Sequence, residues 1–304
     1  MNDVMSYSTS QPSLKKKRQW ASPRVYDILL LYILVIGAFF RFIGIQWGEF
    51  QYLHPDERFL VWVGSDIMPI GTPPEALGPP PSVATTPYRA SFENAYPDCI
   101  EWGGYFDASC SPLNPNNRGH SFYVYGTLPM FITRYVVQWI YGHSGFNEMT
   151  VVGRVLSALV DLLAIVLVYA IGSRVFNKPV GLLAAAFYAF TALNIQQSHF
   201  FTMDTFSSFF TLLAVYFAVR VSLVENDSKT DLMSSGNDPG ILSPVVEDAP
   251  QRSTFFSLIT SFVKHPYFSL SIAFGTALGC AVASKLNSAP VAFVLPVAFG
   301  LVIW

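Results

Sequence analysis

KKKRQWASPRVYDILLLYILVIGAFFRFIGIQ, residues 15–46, is the stretch that decides the fold. From about 26 to 46 it is hydrophobic, and residues 28–40 within it carry no charge. A helix that crosses the hydrocarbon core of a bilayer needs about 20 such residues. The stretch is too long for a signal-peptide core and has no small-residue cleavage site behind it, so it reads as a retained membrane span. Lys15, Lys16, Lys17, Arg18 and Arg24 precede it. Basic residues stay on the cytoplasmic side, which places the N-terminus inside and the chain after residue 46 outside.

The rest of the chain agrees with lipid as solvent. Of its 304 residues 52% are hydrophobic and 12% charged, where a soluble domain carries roughly 25% charged residues. The net charge of −2 and the confinement of the basic run to the N-terminal tail exclude nucleic acid as a partner. Further apolar stretches of spanning length lie near 121–141, 151–171, 179–195, 202–221, 267–283 and 288–304. If 121–141 crossed the membrane, Arg174 and Lys178 would fall outside and 142–150, which holds no Lys or Arg, would fall inside. Residues 121–141, with their Tyr and Trp content and Arg134, are therefore expected to lie along the outer interface. The expected fold is an all-α integral membrane protein, a polytopic helical bundle with about six spans and a long outer first loop with interfacial helices.

The expected organisation is a cytoplasmic basic tail (1–25), a first span (26–46), an outer loop (47–150), a three-span bundle (151–221), a flexible cytoplasmic linker (222–266) and a two-span hairpin (267–304). The linker rests on ENDSKTDLMSSGNDPGILSPVVEDAPQRST, 225–254, rich in Ser, Asp, Pro and Gly. In the outer loop PIGTPPEALGPPPSVATTP, 69–87, favours an extended path. A long ordered loop tends to cover a functional site. Cys99 and Cys110 share this loop, and a bridge between them would contribute up to about 3 kcal/mol in the chain-entropy account; Cys280 sits in an apolar stretch.

The densest ionisable cluster is His54-Pro55-Asp56-Glu57-Arg58, just past the first span. Transfer of a sugar from a lipid phosphate needs a carboxylate that takes the acceptor proton and cations that hold the departing phosphate. Asp56 or Glu57 fits the first role. His54 and Arg58 fit the second, or would help to hold a metal ion. The alternative is that Asp56 caps the amphipathic helix that begins here, a role that does not exclude catalysis. Gln196, Gln197, His199 and Asp204 form a second polar group expected on the same side, with Asp204 as a helix cap the competing reading. Lys285 is a phosphate contact or a lysine snorkelling to the interface.

Asp161 lies within a span, where a charge costs roughly 2.5–3.5 kcal/mol, so it needs a partner or a wet cavity. Arg154 and Arg174 are too distant along the helix to serve. Arg41 reads as an interface anchor within reach of the outer site. Walker loop, dinucleotide fingerprint, zincin helix and nucleophile elbow are all missing from the sequence, which weighs against ATP hydrolysis, redox chemistry and proteolysis.

Three stretches carry a family resemblance: His54-Pro55-Asp56-Glu57; Gly153-Arg154-Val155-Leu156-Ser157-Ala158 continuing to Gly172-Ser173-Arg174-Val175-Phe176; and Gly181-Leu182-Leu183-Ala184 leading to Gln197-Ser198-His199 and Asp204. In order and spacing the chain resembles the N-terminal part of the GT-C glycosyltransferases, including protein mannosyltransferases and the aminoarabinose transferases of lipid A. The resemblance implies an inverting transfer from a polyprenyl-phosphate sugar donor to a protein, lipid or glycan acceptor, with membrane lipid as a further partner. It makes Asp56 the base and Glu57 its neighbour or a metal or substrate ligand; with the reading of the residues above, Asp56 and Glu57 are the catalytic candidates and His54, Arg58, His199, Asp204 and Lys285 the substrate-binding ones. Lys285 resembles the family's lysine near the lipid phosphate, and Tyr123 to Pro129 (YVYGTLP) the start of the interfacial helix. A divalent cation stays open as a cofactor, with no ligand set assigned. The expected location is multi-pass in a bacterial plasma membrane. Family members have more spans than this chain, which stops at Trp304 within an apolar run, so it reads as a fragment whose donor pocket is completed elsewhere. A transporter or lipid-binding module without catalysis is the alternative. It would use Asp161 and the basic residues at the interface, but the repeated halves and broken mid-membrane helices of a transporter are not seen in the sequence.

Overall fold

The computed structural model describes residues 22–48, 51–78, 101–120, 122–235 and 265–303. Most of the basic tail, the later part of the Pro-rich segment, Cys99 and most of the linker lie outside the described residues.

The first span forms as α1, Pro23–Phe42, with proline in its first turn, where a missing N–H costs nothing. Ile28, Leu31, Tyr32, Val35 and Phe39 remain more than half exposed along it, as an apolar surface facing lipid would be. Two short helices follow, α2 (Pro55–Asp66) and α3 (Pro74–Leu77), and then a 3-10 turn at Pro115–Arg118. Helix α4, Leu128–Tyr141, ends where Gly142 takes a left-handed φ of 73°. Its 14 residues fall short of a span. It buries Met130, Thr133, Arg134 and Val137 and leaves Trp139, Ile140 and Tyr141 exposed.

Helix α5 runs from Phe146 to Val175, α6 from Lys178 to Phe190 behind an Asn177 side-chain cap, and α7 from Ala192 to Ser198. Helix α8, Met203–Ser235, continues past the expected boundary at residue 222. Once nucleated, a helix gains a bond for each residue it fixes, and the Leu, Val, Glu, Lys and Met of 222–235 do not resist it. Helix α9, Pro266–Ser284, starts behind a His265 cap. A 3-10 segment, Leu286–Phe293, holds Pro290 and passes into α10, Val294–Ile303.

Among the described residues α1, α5, α8 and α9 are long and apolar enough to cross a membrane, and α6 with α7 makes a fifth span if their 59° bend is counted within one crossing. The last apolar stretch, Leu286–Val302, is shorter. The chain is thus an all-helical membrane bundle, with four or five candidate spans among the described residues.

Helix α5 is the central post: α6 and α1 pack on one side of it, α8 on another, and α9 and α10 pack against α8. A second apolar cluster joins α2 and α4 to the first half of α5 and the start of α8 through Leu60, Val63, Ile67, Met130, Met149, Val152, Phe201 and Phe206. It seats the two short helices at one end of the bundle. Arg134 closes this layer, its Nε donating to the Ile67 carbonyl at 2.9 Å and its Nη1 to Gln138 Oε1 at 3.0 Å. Burial pushes its guanidinium down to about 10, which leaves it charged at neutral pH.

Inside the bundle, Asp161 finds its partner in Arg41, whose Nε donates to Oδ2 at 2.6 Å. Arg41 also donates to the carbonyls of Gly37 and Ala189, and Tyr188 donates to Asp161 Oδ1 at 2.9 Å. Arg41 is wholly buried, which corrects its reading as an interface anchor. A charge inside hydrocarbon gains more from an opposite charge and three oxygens than a snorkelling side chain gains from headgroups.

Candidate functional site

Helix α2 places the acidic cluster. Its cap is His54, whose Nδ1 accepts the Glu57 N–H at 3.3 Å, and Pro55 fills the first helical position. Asp56 is therefore not the cap, which corrects that alternative. A carboxylate one step inside the helix is spared the backbone bond and still gains from the helix dipole. Its Oδ1 instead accepts a hydrogen bond from the Tyr125 hydroxyl at 3.0 Å, and the residue is half-buried.

Glu57, one residue on, turns the other way and is fully buried. Arg154 on α5 grips it with a fork, Nε to Oε1 and Nη2 to Oε2, each at 2.7 Å. The Phe201 N–H adds a third donor at 2.9 Å. The same guanidinium donates through Nη1 to the carbonyls of Ile45 and Trp47 and lies 5.2 Å from the centre of the Trp47 ring. One arginine thus ties the chain leaving α1, the start of α2 and the 199–201 turn to α5. Gly153 beside it lets Phe201 lie against the helix, since a Cβ there would collide with that ring.

Tyr125 also feels the charge of Asp204, which forms an ion pair with Lys285. Burial, then the hydrogen bond to Asp56 and the charges of Asp56 and Asp204, raise the Tyr125 phenol above its usual 10.0. Burial likewise raises Tyr123, which donates to the Gly126 carbonyl at 2.8 Å. Gly126 rests on the end of α9: a Cβ there would strike the carbonyl oxygens of Ala283 and Ser284. That close approach sets the segment carrying Tyr125, the partner of Asp56, against the end of α9, where Lys285 follows. Asp204, in the first turn of α8, and Lys285 are paired with each other, and each side chain stays at least 39% exposed.

The remaining sequence candidates take distinct places. The His54 ring lies 4.3 Å from that of Phe200, tilted by 41°, and its Nδ1 is taken by the cap. His199 faces carbonyl oxygens at both ring nitrogens, Ile195 O at 2.7 Å and Ile43 O at 2.9 Å, so it ties the exit of α1 to the turn after α7. Arg58 is exposed, and among the described residues its side chain makes no hydrogen bond or ion pair. Asp56 is paired with Tyr125 and Asp204 with Lys285, whereas Glu57 and His199 are taken up by Arg154 and by backbone carbonyls. Cys110 is disulfide-bonded, Cys280 is free, and Cys99 lies outside the described residues. Among the described residues no group of three or more His, Cys, Asp or Glu side chains is placed to hold a metal ion.

Sequence reading missed Tyr125, Arg154 and Arg41 as partners of the three carboxylates. The signal for Arg154 and Arg41 was present, since a cation in an apolar helix demands a buried anion. For Tyr125 it was not, because a tyrosine 69 residues from Asp56 has no spacing that pairs them.

Residues 133–237 match the family model described as dolichyl-phosphate-mannose-protein mannosyltransferase. The likeness to GT-C glycosyltransferases read from the sequence is therefore shown over the stretch from within α4 to the end of α8, which carries Arg154, Asp161, His199 and Asp204. Asp56, Tyr125 and Lys285 lie outside the matched stretch and are brought to it by the fold. No curated protein and no solved structure matches the chain.

Proposed function

We propose that this chain is a membrane glycosyltransferase of the GT-C type that moves a sugar from a polyprenyl-phosphate donor to an acceptor hydroxyl at the outer face of a bacterial plasma membrane, with Asp56 as the base. The observation that carries this reading is the setting of Asp56. It is a half-exposed carboxylate, free of capping and held by one tyrosine hydroxyl, and that phenol also feels the charge of Asp204, the partner of a lysine at the end of a spanning helix.

The residues divide the reaction between them. Asp56 takes the proton of the acceptor O–H as the acceptor oxygen bonds to the anomeric carbon. The bond from that carbon to the phosphate oxygen breaks, and its electron pair leaves with the polyprenyl phosphate. One displacement inverts the anomeric centre. Phosphate is a good leaving group, so the protein must supply cations more than an acid. Lys285 serves there once the donor phosphate replaces Asp204 beside it. Tyr125 aims Asp56 and hydrogen-bonds one of its oxygens, leaving the other for the acceptor. Glu57 is a positioning residue in this scheme: through Arg154 it fixes the first turn of α2, and with it the direction of Asp56. His54 and His199 hold the surrounding turns, and Arg58 is left for substrate.

The test is transfer of radiolabelled sugar from a panel of polyprenyl-phosphate donors in membranes that hold equal amounts of wild type, Asp56→Asn and Lys285→Gln. Donor-dependent transfer by the wild type, lost in Asp56→Asn and with a raised donor KM in Lys285→Gln, is the expected result. Full activity in Asp56→Asn, or no transfer by the wild type from any donor, would overturn it.

A further inference from the structure

We propose that a groove along α2, beside Asp56, is the acceptor subsite, and that it takes a saccharide bearing an anionic group, carboxylate or phosphate, near its accepting hydroxyl. The inference rests on the reading of Asp56 as base and adds the acceptor's chemical class. The groove is a cavity of about 420 Å³ lined by Pro55, Arg58, Phe59, Trp62 and Phe146, within the range of small-ligand pockets.

Helical spacing explains its composition. At about 100° per residue, Pro55, Arg58, Phe59 and Trp62 fall in one stripe of α2, while Glu57 points back to α5 and Asp56 lies on the flank next to Phe59. The stripe offers two kinds of recognition. Trp62 is 54% exposed and lines the groove, and its ring lies 5.0 Å from that of His120 at 88°, a contact that limits its movement. Aromatic faces take the apolar C–H face of a sugar ring at little entropic cost. Arg58 supplies a planar fork that fits a carboxylate or phosphate with two bonds. Arg118, Arg134 and Arg154, at the same end of the molecule, all spend their guanidinium on this chain's own oxygens, and Arg58 does not.

Position relative to Asp56 completes the case. Phe59 forms a wall of the groove and packs on Tyr123 and on Tyr125, the residue that holds Asp56. Two cations thus differ in state: Lys285 is paired with Asp204, whose charge Tyr125 feels, and the Arg58 side chain, in the groove that Phe59 walls, is unpaired among the described residues. A transfer between two phosphate- or carboxylate-bearing molecules needs two such places. The paired one suits a donor phosphate that displaces Asp204, and the open one suits the acceptor's charge.

The experiment uses the full chain in lipid nanodiscs and saturation-transfer NMR with four probes: methyl β-glucoside, methyl β-glucuronide, glucose 6-phosphate, and polyprenyl phosphate without sugar. The variants are Arg58→Gln and Trp62→Ala on the exposed stripe, and Asp56→Asn. The expected result is binding of the two anionic sugars above the neutral one and a loss of about ten- to a hundredfold in their affinity in Arg58→Gln, with the neutral glucoside unchanged. Trp62→Ala weakens all three sugars, and none of the variants changes polyprenyl phosphate binding. Preference for glucuronide or for glucose 6-phosphate identifies the anion. Equal sugar binding by wild type and Arg58→Gln overturns the proposal, and so does a loss of polyprenyl phosphate binding in Arg58→Gln, which would put Arg58 on the donor side. Asp56→Asn separates the two readings: sugar binding that persists while the variant retains full transfer would remove Asp56 as base and leave the groove in place.

Discussion

Two neighbouring carboxylates, Asp56 and Glu57, have opposite fates because a helix turns about 100° between them. Glu57 meets three donors and no water, while Asp56 meets one phenol and remains half-exposed. Only the second keeps an oxygen for chemistry. Asp56→Asn is expected to lower kcat by about 10²- to 10⁴-fold with the melting temperature unchanged, as loss of a general base does. Tyr125→Phe removes one hydrogen bond of about 1.4 kcal/mol and is expected to cost about tenfold in kcat/KM, mostly in kcat. The tyrosines also set an alkaline limit. Tyr123 and Tyr125 have folded values above the unfolded 10.0, so the neutral phenols' contribution is fully present below 10.0 and is lost as pH rises through the folded values. Thermal stability in detergent should stay level from neutral pH to about 9 and fall beyond 10, and the fall should be smaller in a Tyr123→Phe, Tyr125→Phe double variant.

At the scale of elements, α2 stands where it does because Arg154 holds its first turn and a cluster around Met130 and Met149 holds its length. Breaking a buried fork by removing one partner costs about 3–5 kcal/mol, since the other charge is left unpaired. Glu57→Gln is therefore expected to lower both melting temperature and transfer, and Arg154→Met with Glu57→Leu, which removes both charges, to recover part of the stability but not the transfer. A Glu57→Gln protein as stable as wild type, with transfer abolished, would instead make Glu57 catalytic. Much of this was legible beforehand. The helical membrane bundle follows from hydropathy, charge and helix length, which are local properties. The reach of α8 to Ser235 was not, because a polar composition that can be a linker continues as a helix when a long apolar one precedes it. The Asp56–Tyr125 and Arg41–Asp161 pairs were not legible either. They join residues 69 and 120 positions apart and depend on how helices pack.

At the scale of the molecule, the proposed site is shared between parts of the chain that abut closely at Gly126. Asp56 comes from the layer of α2 and α4, and Lys285 from the end of α9, whose own apolar contacts are with α8 and α10. The segment at Tyr125 and Gly126 is where the two abut, and it abuts without room for a methyl group. A Cβ at Gly126 would push against backbone carbonyls, which cannot rotate away as a side chain would. Overpacking of this kind costs about 1–3 kcal/mol. Its effect on transfer should be larger than its effect on stability, because the displacement falls on the segment that spaces Asp56 from Lys285, and a shift of about 1 Å at a reacting centre is worth about a hundredfold in rate. Gly126→Ala is thus expected to lower the melting temperature modestly and transfer severely, with donor KM raised as Lys285 moves off. Gly275→Ala in α9 is the control, since nothing lies within 4 Å of a Cβ there, and alanine is the better helix former; it should leave transfer unchanged. Equal transfer by Gly126→Ala and wild type would mean that Lys285 and Asp56 do not act on one substrate, and would separate the donor site from the base.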